Sequence, residues 1–205
     1  DLSIAKRNLI ISSGLPALAI SNPKEFAQME NGDSRLNKGQ LLKIQDGLKS
    51  LRDSPIYYED PTGAKVDQIC ATIRRRVRKD KVKVIAIDYL QLLKGNASSF
   101  SKENEMAEIS HTFQALAKEL DVVIILLSQQ NKEGGTKYAA AIEEDADGIA
   151  SIIQDRRDED EKGNINEDRG KHLGIGIKKD RHNGNTGLFL PVVLNKEKLI
   201  FETQI

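Results

Sequence analysis

The sequence predicts an α/β fold with a central parallel sheet flanked by helices and antiparallel strands at the C-terminal edge. Three observations predict it. Val82–Leu92 and Val122–Gln129 are short apolar runs rich in Val and Ile, and such runs read as strands buried on both faces. Between them, Met106, Ile109, Phe113, Leu116 and Leu120 recur on one helical stripe, and a strand–helix–strand crossover makes a parallel pair. After them, His172–Lys178, Leu188–Leu194 and Leu199–Glu202 read as strands joined by turn-forming residues, a β-meander.

Residues 1–54 form a helical N-terminal part. Leu2, Leu9 and Ile10 predict a helix ending near Ser12, Gly14 and Pro16 interrupt it, and Leu18 and Ile20 belong to a second short element. Pro23–Asn37 is polar and Gly-containing. Leu41, Leu42, Ile44, Leu48 and Leu51 have helical spacing over Lys38–Leu51. Residues 55–205 hold the sheet core and its meander, in one domain with the helical part. Pro55–Asp60 reads as a short strand ended by Pro61-Thr62-Gly63. Val66, Ile69, Cys70, Ile73 and Val77 predict an amphipathic helix over Lys65–Lys79. Its outer face carries Arg74, Arg75, Arg76 and Arg78, which read most simply as a solvated face near a helix C-terminus. Lys94–Ser101 and Asn131–Tyr138 are polar, Gly-containing loops, Ala139–Ala146 a short helix, Ile149–Gln154 a strand and Asp155–Asp168 an exposed charged loop.

The 205 residues suffice for one domain with a substantial core. Lys plus Arg number 31 and Asp plus Glu 31, so bulk charge does not advertise nucleic-acid binding, which would need local patches. The single Cys70 argues against a disulfide scaffold and fits a reducing, cytoplasmic setting. No apolar stretch is long enough to span a bilayer, and no signal peptide is visible. The chain opens at Asp1 rather than Met, which points to a fragment or a processed product.

Three places carry chemistry. Asp88 ends the first buried strand, at the carboxyl edge where ligands of open α/β sheets bind. In P-loop NTPases an acid there helps hold magnesium; the plain alternative is an acid capping the next element. Ser128-Gln129 ends the second strand at the equivalent edge. A Gln there can reach a γ-phosphate or orient a water, or be an ordinary loop residue. Lys179 and Arg181, two apart on an extended segment, point the same way before a tight turn. They suit a phosphate clamp or an arginine finger, or blunt an edge strand. His111, His172 and His182 lack the spacing of metal ligands. No G-x-x-x-x-G-K-[ST] occurs within the chain, so no phosphate-cradling loop is present in it.

Together these residues resemble the DnaB-type replicative DNA helicases. Ile85–Leu92 resembles their Walker B text I-D-Y-L-Q-L, Ala107–Ser110 and Ala115–Leu120 their following helix, and Ile125–Gln129 their I-A-L-S-Q. Ala141–Asp147 is similar to A-I-E-Q-D-A-D, and Lys179–Gly187 to K-x-R-N-G-P-T-G. The match runs in order from about Pro55 to Phe201, and more weakly over residues 1–54. His182 is an insertion relative to that text, and Tyr138-Ala139-Ala140 stands where the family has R-E-S-G.

The resemblance implies the C-terminal RecA-like ATPase core of a ring hexamer. That hexamer binds ATP and Mg²⁺ between subunits and translocates on single-stranded DNA to unwind duplex. It implies Asp88 as the Walker B acid and metal residue, and Gln129 as the sensor of the γ-phosphate. Lys179 and Arg181 become the residues offered to a neighbour's phosphates. Asp88, Gln129 and Arg181 form the expected catalytic set, and Lys179 joins them in binding nucleotide. The loops Lys94–Lys102 and Asn131–Tyr138 would face the channel, with Lys94, Lys102, Lys132 and Lys137 on the DNA backbone. Primase and a helicase loader are the implied protein partners, and no membrane is involved. The Walker A loop and the strand with the catalytic Glu are expected upstream of Asp1, so the chain alone is not expected to hydrolyse ATP. The alternative is a non-catalytic RecA-like DNA-binding or assembly module. A recombinase-type ATPase shares the core but fits the I-D-Y-L-Q-L and K-x-R pairing less well.

Overall fold

The computed structural model describes residues 4–60, 63, 65–95, 101–129, 139–154, 173–198 and 200–203. Lys132, Lys137 and the predicted loop Asp155–Asp168 lie outside the described residues. The element order is α1 (Ile4–Ser13), α2 (Ala17–Ser21), α3 (Pro23–Asn31), α4 (Lys38–Asp53), α5 (Val66–Asp80), β1 (Val84–Ile87), α6 (Lys102–Leu120), β2 (Val123–Leu126), α7 (Ala139–Asp145), β3 (Gly148–Gln154), β4 (Leu173–Asp180), β5 (Phe189–Asn195) and β6 (Ile200–Thr203). A 3-10 turn at Leu90–Leu92 follows β1. The fold class is mixed α/β, with β1 and β2 as a parallel pair and a second sheet in the order β3-β4-β5-β6. The crossover prediction holds, since Val84–Ile87 pairs in parallel with Val123–Leu126.

The chain forms two compact units: Asp1–Glu59 with Ile152–Gly176 and Phe189–Ile205, and Asp60–Ser151 with Ile177–Leu188. In the first, Leu15, Ala19 and Phe26 form a small core with Leu18, Leu36 and Ile44 against it. Helices α1 and α4 approach so closely that a Cβ at Gly47 would lie 3.0 Å from the Ser13 amide nitrogen. Helix α3 falls in the polar stretch Pro23–Asn37, where no apolar stripe announces it. Phe26 and Ala27 are its buried residues, and its ends are well capped. Pro23 is at the first turn, the Asn22 side chain accepts from the Glu25 amide, and Gly32 closes the helix at φ 73°. A capping box starts α4, with the Gln40 amide donating to Asn37 Oδ1 and the Asn37 amide to Gln40 Oε1, both at 2.9 Å. Strands β4, β5 and β6 pair antiparallel in sequence, as a meander should. Gly174 of β4 leaves room for the Phe189 ring, which a Cβ there would meet at 2.0 Å.

The second unit carries the predicted chemistry. Its core joins Val66, Cys70 and Ile73 of α5 to Met106, Ile109, Phe113 and Leu116 of α6, with Leu90 and Leu93 between the strand and helix. Ile85, Ile87, Ile124 and Leu126 pack on this cluster from one face of the parallel pair. Their neighbours Val84, Val123, Ile125 and Leu127 remain 43–57% exposed. The prediction of strands buried on both faces is therefore corrected. With side chains alternating at period two, α5 and α6 cover one face only.

The first strand is also shorter than the run Val82–Leu92, because the chain breaks into a bend and the 3-10 turn after Ile87. Pro55–Asp60 is not a strand; Pro55 has no amide to donate, and Ile56, Tyr57 and Tyr58 stay 43–48% exposed. In the arginine cluster, Arg74 grips both carboxylate oxygens of Glu119 at 2.9 and 2.6 Å and so ties α5 to α6. Arg76 pairs with Asp80.

Ile109 is 1% exposed at the centre of this core. Replacing it with Ala is expected to cost about 2–5 kcal/mol, because the cavity cannot fully collapse between α5 and the sheet. Denaturant unfolding of the variant beside wild type measures it.

Candidate functional site

The carboxyl edge of the parallel pair is stitched beyond the regular strands. The Leu127 amide donates to Ile87 O at 3.0 Å, and the Leu90 amide to Leu127 O at 2.9 Å. The chain then turns away at Leu90–Leu92, anchored by the wholly buried Leu90. From that turn the Gln91 side chain reaches back across the edge. Its Nε2 donates to Ser128 Oγ at 2.8 Å, and its Oε1 accepts from the Gln129 amide at 3.2 Å. Asp88 lies exposed in the bend between β1 and the turn. The Asp88–Tyr89 peptide is cis. Gln129 is exposed at the end of the neighbouring strand. The structure thus brings Asp88 and Gln129 to one edge, as the sequence suggests.

No group of three or more His, Cys, Asp or Glu among the described residues could cage a metal. A lone exposed carboxylate fits Mg²⁺, which keeps several waters and takes most of its remaining ligands from phosphates.

Lys179 and Arg181 point the same way, but onto the chain's own acceptors. Lys179 Nζ donates to the carbonyls of Glu143 at 2.6 Å and Glu144 at 3.2 Å. Arg181 Nη2 donates to Glu144 O at 2.9 Å, and Nη1 to Asp147 Oδ1 at 2.6 Å. Both cations therefore satisfy the orphan carbonyls ending α7, where cations are favoured. From the other side, α6 holds the same end. His111 Nδ1 meets Asp145 Oδ1 at 3.0 Å, and Gln114 Nε2 donates to Asp145 O at 2.6 Å. No described hydrogen bond or ion pair joins Lys179 or Arg181 to Asp88 or Gln129.

The Arg181–Asp147 pair is 41% and 52% exposed. Such pairs are worth about 0–1 kcal/mol, so a phosphate could displace Asp147 at little cost. Between the two cations, Asp180 organises the turn. Its carboxylate accepts from the amides of His182 and Asn183 and from the side chains of Asn183 and Asn185. The Asn183 amide, first among these donors, holds the Asp180 carboxyl below its usual range.

Of the predicted DNA-facing lysines, Lys94 and Lys102 stand at the two ends of one loop. Lys94 is exposed, while its carbonyl accepts from the Val66 amide at the start of α5. Lys102 Nζ donates to Glu105 Oε2 at 2.6 Å, and the other Glu105 oxygen accepts from the Gly95 amide at 2.8 Å. One carboxylate in the first turn of α6 thus ties the two ends of the loop together. The Lys102 ammonium and then the Gly95 amide hold the Glu105 carboxyl below its usual range.

Gln91, Glu105, Asp147 and Asp180 are the site residues that sequence reasoning left without a role. Asp180 had a local signal, because Asp-Arg-His-Asn-Gly is turn chemistry. Gln91 and Asp147 fall within the quoted family motifs and Glu105 lies three residues from Lys102, but the partners of each across the fold are ten or more residues away.

Two solved structures share this fold over 98% of the chain. One is a DnaB-like replicative helicase described with its interactions with primase, at TM-score 0.75 and 23% identity over 47% of that chain. The other is described as an ATPase domain, at TM-score 0.76 and 23% identity over 69% of that chain. The fold is therefore the RecA-like core that these structures share. The family model of the DnaB-like helicase C-terminal domain matches residues 15–202, and the chain belongs to that family.

Among curated relatives, the replicative DNA helicase DnaC of Bacillus subtilis is 34% identical over 125 residues, covering 55% of this chain and 28% of that protein. The probable plasmid replicative DNA helicase of Chlamydia trachomatis is 32% identical over 136 residues, covering 61% and 30%. The replicative DNA helicase DnaB of Helicobacter pylori is 28% identical over 209 residues, covering 90% and 43%. The chain thus spans between 28% and 43% of the length of these relatives.

Because its folded pKa is depressed, Glu105 contributes stability above the unfolded carboxylate value of about 4.3, and loses it as pH falls through the folded value. Glu105→Gln is expected to lower the melting temperature at pH 7 and to speed exchange of the Gly95 amide. The melting difference from wild type should vanish in strong acid. Thermal melts across pH and hydrogen exchange at Gly95 are the measurements; an equal melting deficit at every pH would contradict the assignment.

Proposed function

We propose that this chain supplies the neighbour-facing and sensing parts of the nucleotide site in a hexameric, ATP-dependent replicative DNA helicase. That assembly translocates on single-stranded DNA and has primase and a loader as partners. The observation that carries the reading is the shared edge of Asp88 and Gln129 at the carboxyl ends of two parallel strands, within a DnaB-like helicase domain. Asp88 would hold Mg²⁺ together with the phosphates of ATP, and the metal would draw charge from the transferring phosphoryl group. Gln129 would read the γ-phosphate. Lys179 and Arg181, fixed on the end of α7, would meet the phosphates of the next subunit by exchanging carbonyl and carboxylate acceptors for phosphate oxygens. Lys94 and Lys102, with Lys132 and Lys137, would contact the DNA backbone. The exposed apolar face of β1 and β2 is one that further helices of an ATPase domain would cover.

Two variants in the complete gene product test this reading. Arg181→Ala is expected to lower kcat for ATP hydrolysis by about 10³-fold or more while leaving ATP affinity within a few-fold, since the residue acts in trans on transition-state charge. Steady-state ATPase and nucleotide-binding assays measure both, and a normal kcat would refute the trans role. Asp88→Asn is expected to abolish Mg²⁺-dependent turnover; retained turnover would make Asp88 an ordinary bend residue. For the 205-residue chain alone, titration with ATP and Mg²⁺ is expected to show no tight binding, because it contains no phosphate-cradling loop. Oligomerisation or DNA binding indifferent to nucleotide in the complete gene product would favour the non-catalytic module instead.

A further inference from the structure

The strand that carries Gln129 ends at Leu126, yet Gln129 must hold a direction to sense anything. Past Leu127 the main-chain ladder to β1 stops, because the partner chain has turned away at Leu90. Among the described residues, Gln91 is the hydrogen-bond partner of both the Ser128 hydroxyl and the Gln129 amide.

The chemistry of these contacts defines the orientation of the Gln91 amide. A backbone N–H can only donate, so Oε1 must face Gln129, and Nε2 then donates to the Ser128 hydroxyl. Both ends of the side chain are occupied, and its backbone sits next to the wholly buried Leu90. Three residues earlier on the same segment stands Asp88, and three residues later Lys94 begins the first loop.

From this geometry we infer that Gln91 is a positioning residue for ATP turnover. It holds Gln129 at a set distance and direction from Asp88, and joins that sensor to the turn leading into the Lys94 loop. The inference rests on the reading of Gln129 as the γ-phosphate sensor. It acts through Gln129, so its effect falls on the turnover step and its stimulation by single-stranded DNA, and not on nucleotide affinity.

The test is a double-mutant cycle in the complete gene product, with Gln91→Met and Gln129→Ala alone and combined. Gln91→Met keeps the side chain's length and removes both hydrogen bonds. It is expected to lower DNA-stimulated kcat at least about tenfold with KM for ATP within about twofold, and to cause no further loss on the Gln129→Ala background. If the Met variant does not assemble, Gln91→Glu serves, because its carboxylate accepts from both the Gln129 amide and the Ser128 hydroxyl. It is expected to keep kcat within about threefold, with its added charge appearing in KM. An impaired Gln129→Ala beside a normal Gln91→Met overturns the inference alone. So does a Met variant that lowers kcat equally on both backgrounds, or a Glu variant as slow as Gln129→Ala. A Gln129→Ala enzyme with normal kcat overturns the sensor reading, and the inference with it.

Discussion

Everything placed in the second unit depends on how α6 packs. Met106, Ile109, Phe113 and Leu116 are all within 2% of complete burial, between α5 and the inner face of β1 and β2. By the area removed from water, each such side chain contributes about 1.5–3 kcal/mol. This packing sets where the helix begins and ends. Its first turn carries Glu105 to the base of the loop, its middle carries His111 and Gln114 to the end of α7, and its last turn carries Glu119 to Arg74. Polar contacts of modest individual worth are thus aligned by one apolar seam.

Two kinds of polar construction stand on that seam. At the strand edge, hydrogen bonds join neighbouring segments in parallel: main chain at Ile87, Leu90 and Leu127, then a side chain at Gln91. In this arrangement the Asp88 carboxylate remains exposed. At the end of α7, by contrast, cations meet carbonyls and an exposed carboxylate. Such contacts exchange readily for phosphate oxygens, which offer the same acceptor geometry with more charge. Under the proposed function, the first would sense nucleotide and the second would exchange its acceptors for a neighbour's phosphates. The segment linking α6 to β3 takes part in the second construction through Asp145 and Asp147.

Much of this was legible in the residue order. The 3.6-residue stripes of α5 and α6 and the Val/Ile runs of β1 and β2 gave their type, and the crossover gave the parallel pairing. Turn chemistry from Lys179 onward placed the end of β4 at Lys178, whereas the strand runs on to Asp180. Helix α3 was hidden because its apolar face is short, Phe26 and Ala27, and its clearest markers are Asn22, Pro23 and Gly32 at its ends. Pro55–Asp60 was misread as a strand because a strand needs a partner as well as β-forming residues. Asp88, Gln129, Lys179 and Arg181 were legible as site candidates, since each sits at the end of a readable strand.

By itself the sequence determined the alternation of helix and strand from α5 to β2, the edge of the sheet at which the acid and the amide emerge, and the family. Those follow from periodicity and from residues next to one another in the chain. Only the tertiary structure decided which acceptors Lys179 and Arg181 rest on, that Glu105 joins the two ends of a loop, and that Gln91 reaches Gln129 across the sheet edge. The physical reason is range. A hydrogen bond needs its partners within about 3 Å, and apart from Lys102 and Glu105 these pairs are brought that close by helix packing and strand pairing rather than by nearness along the chain.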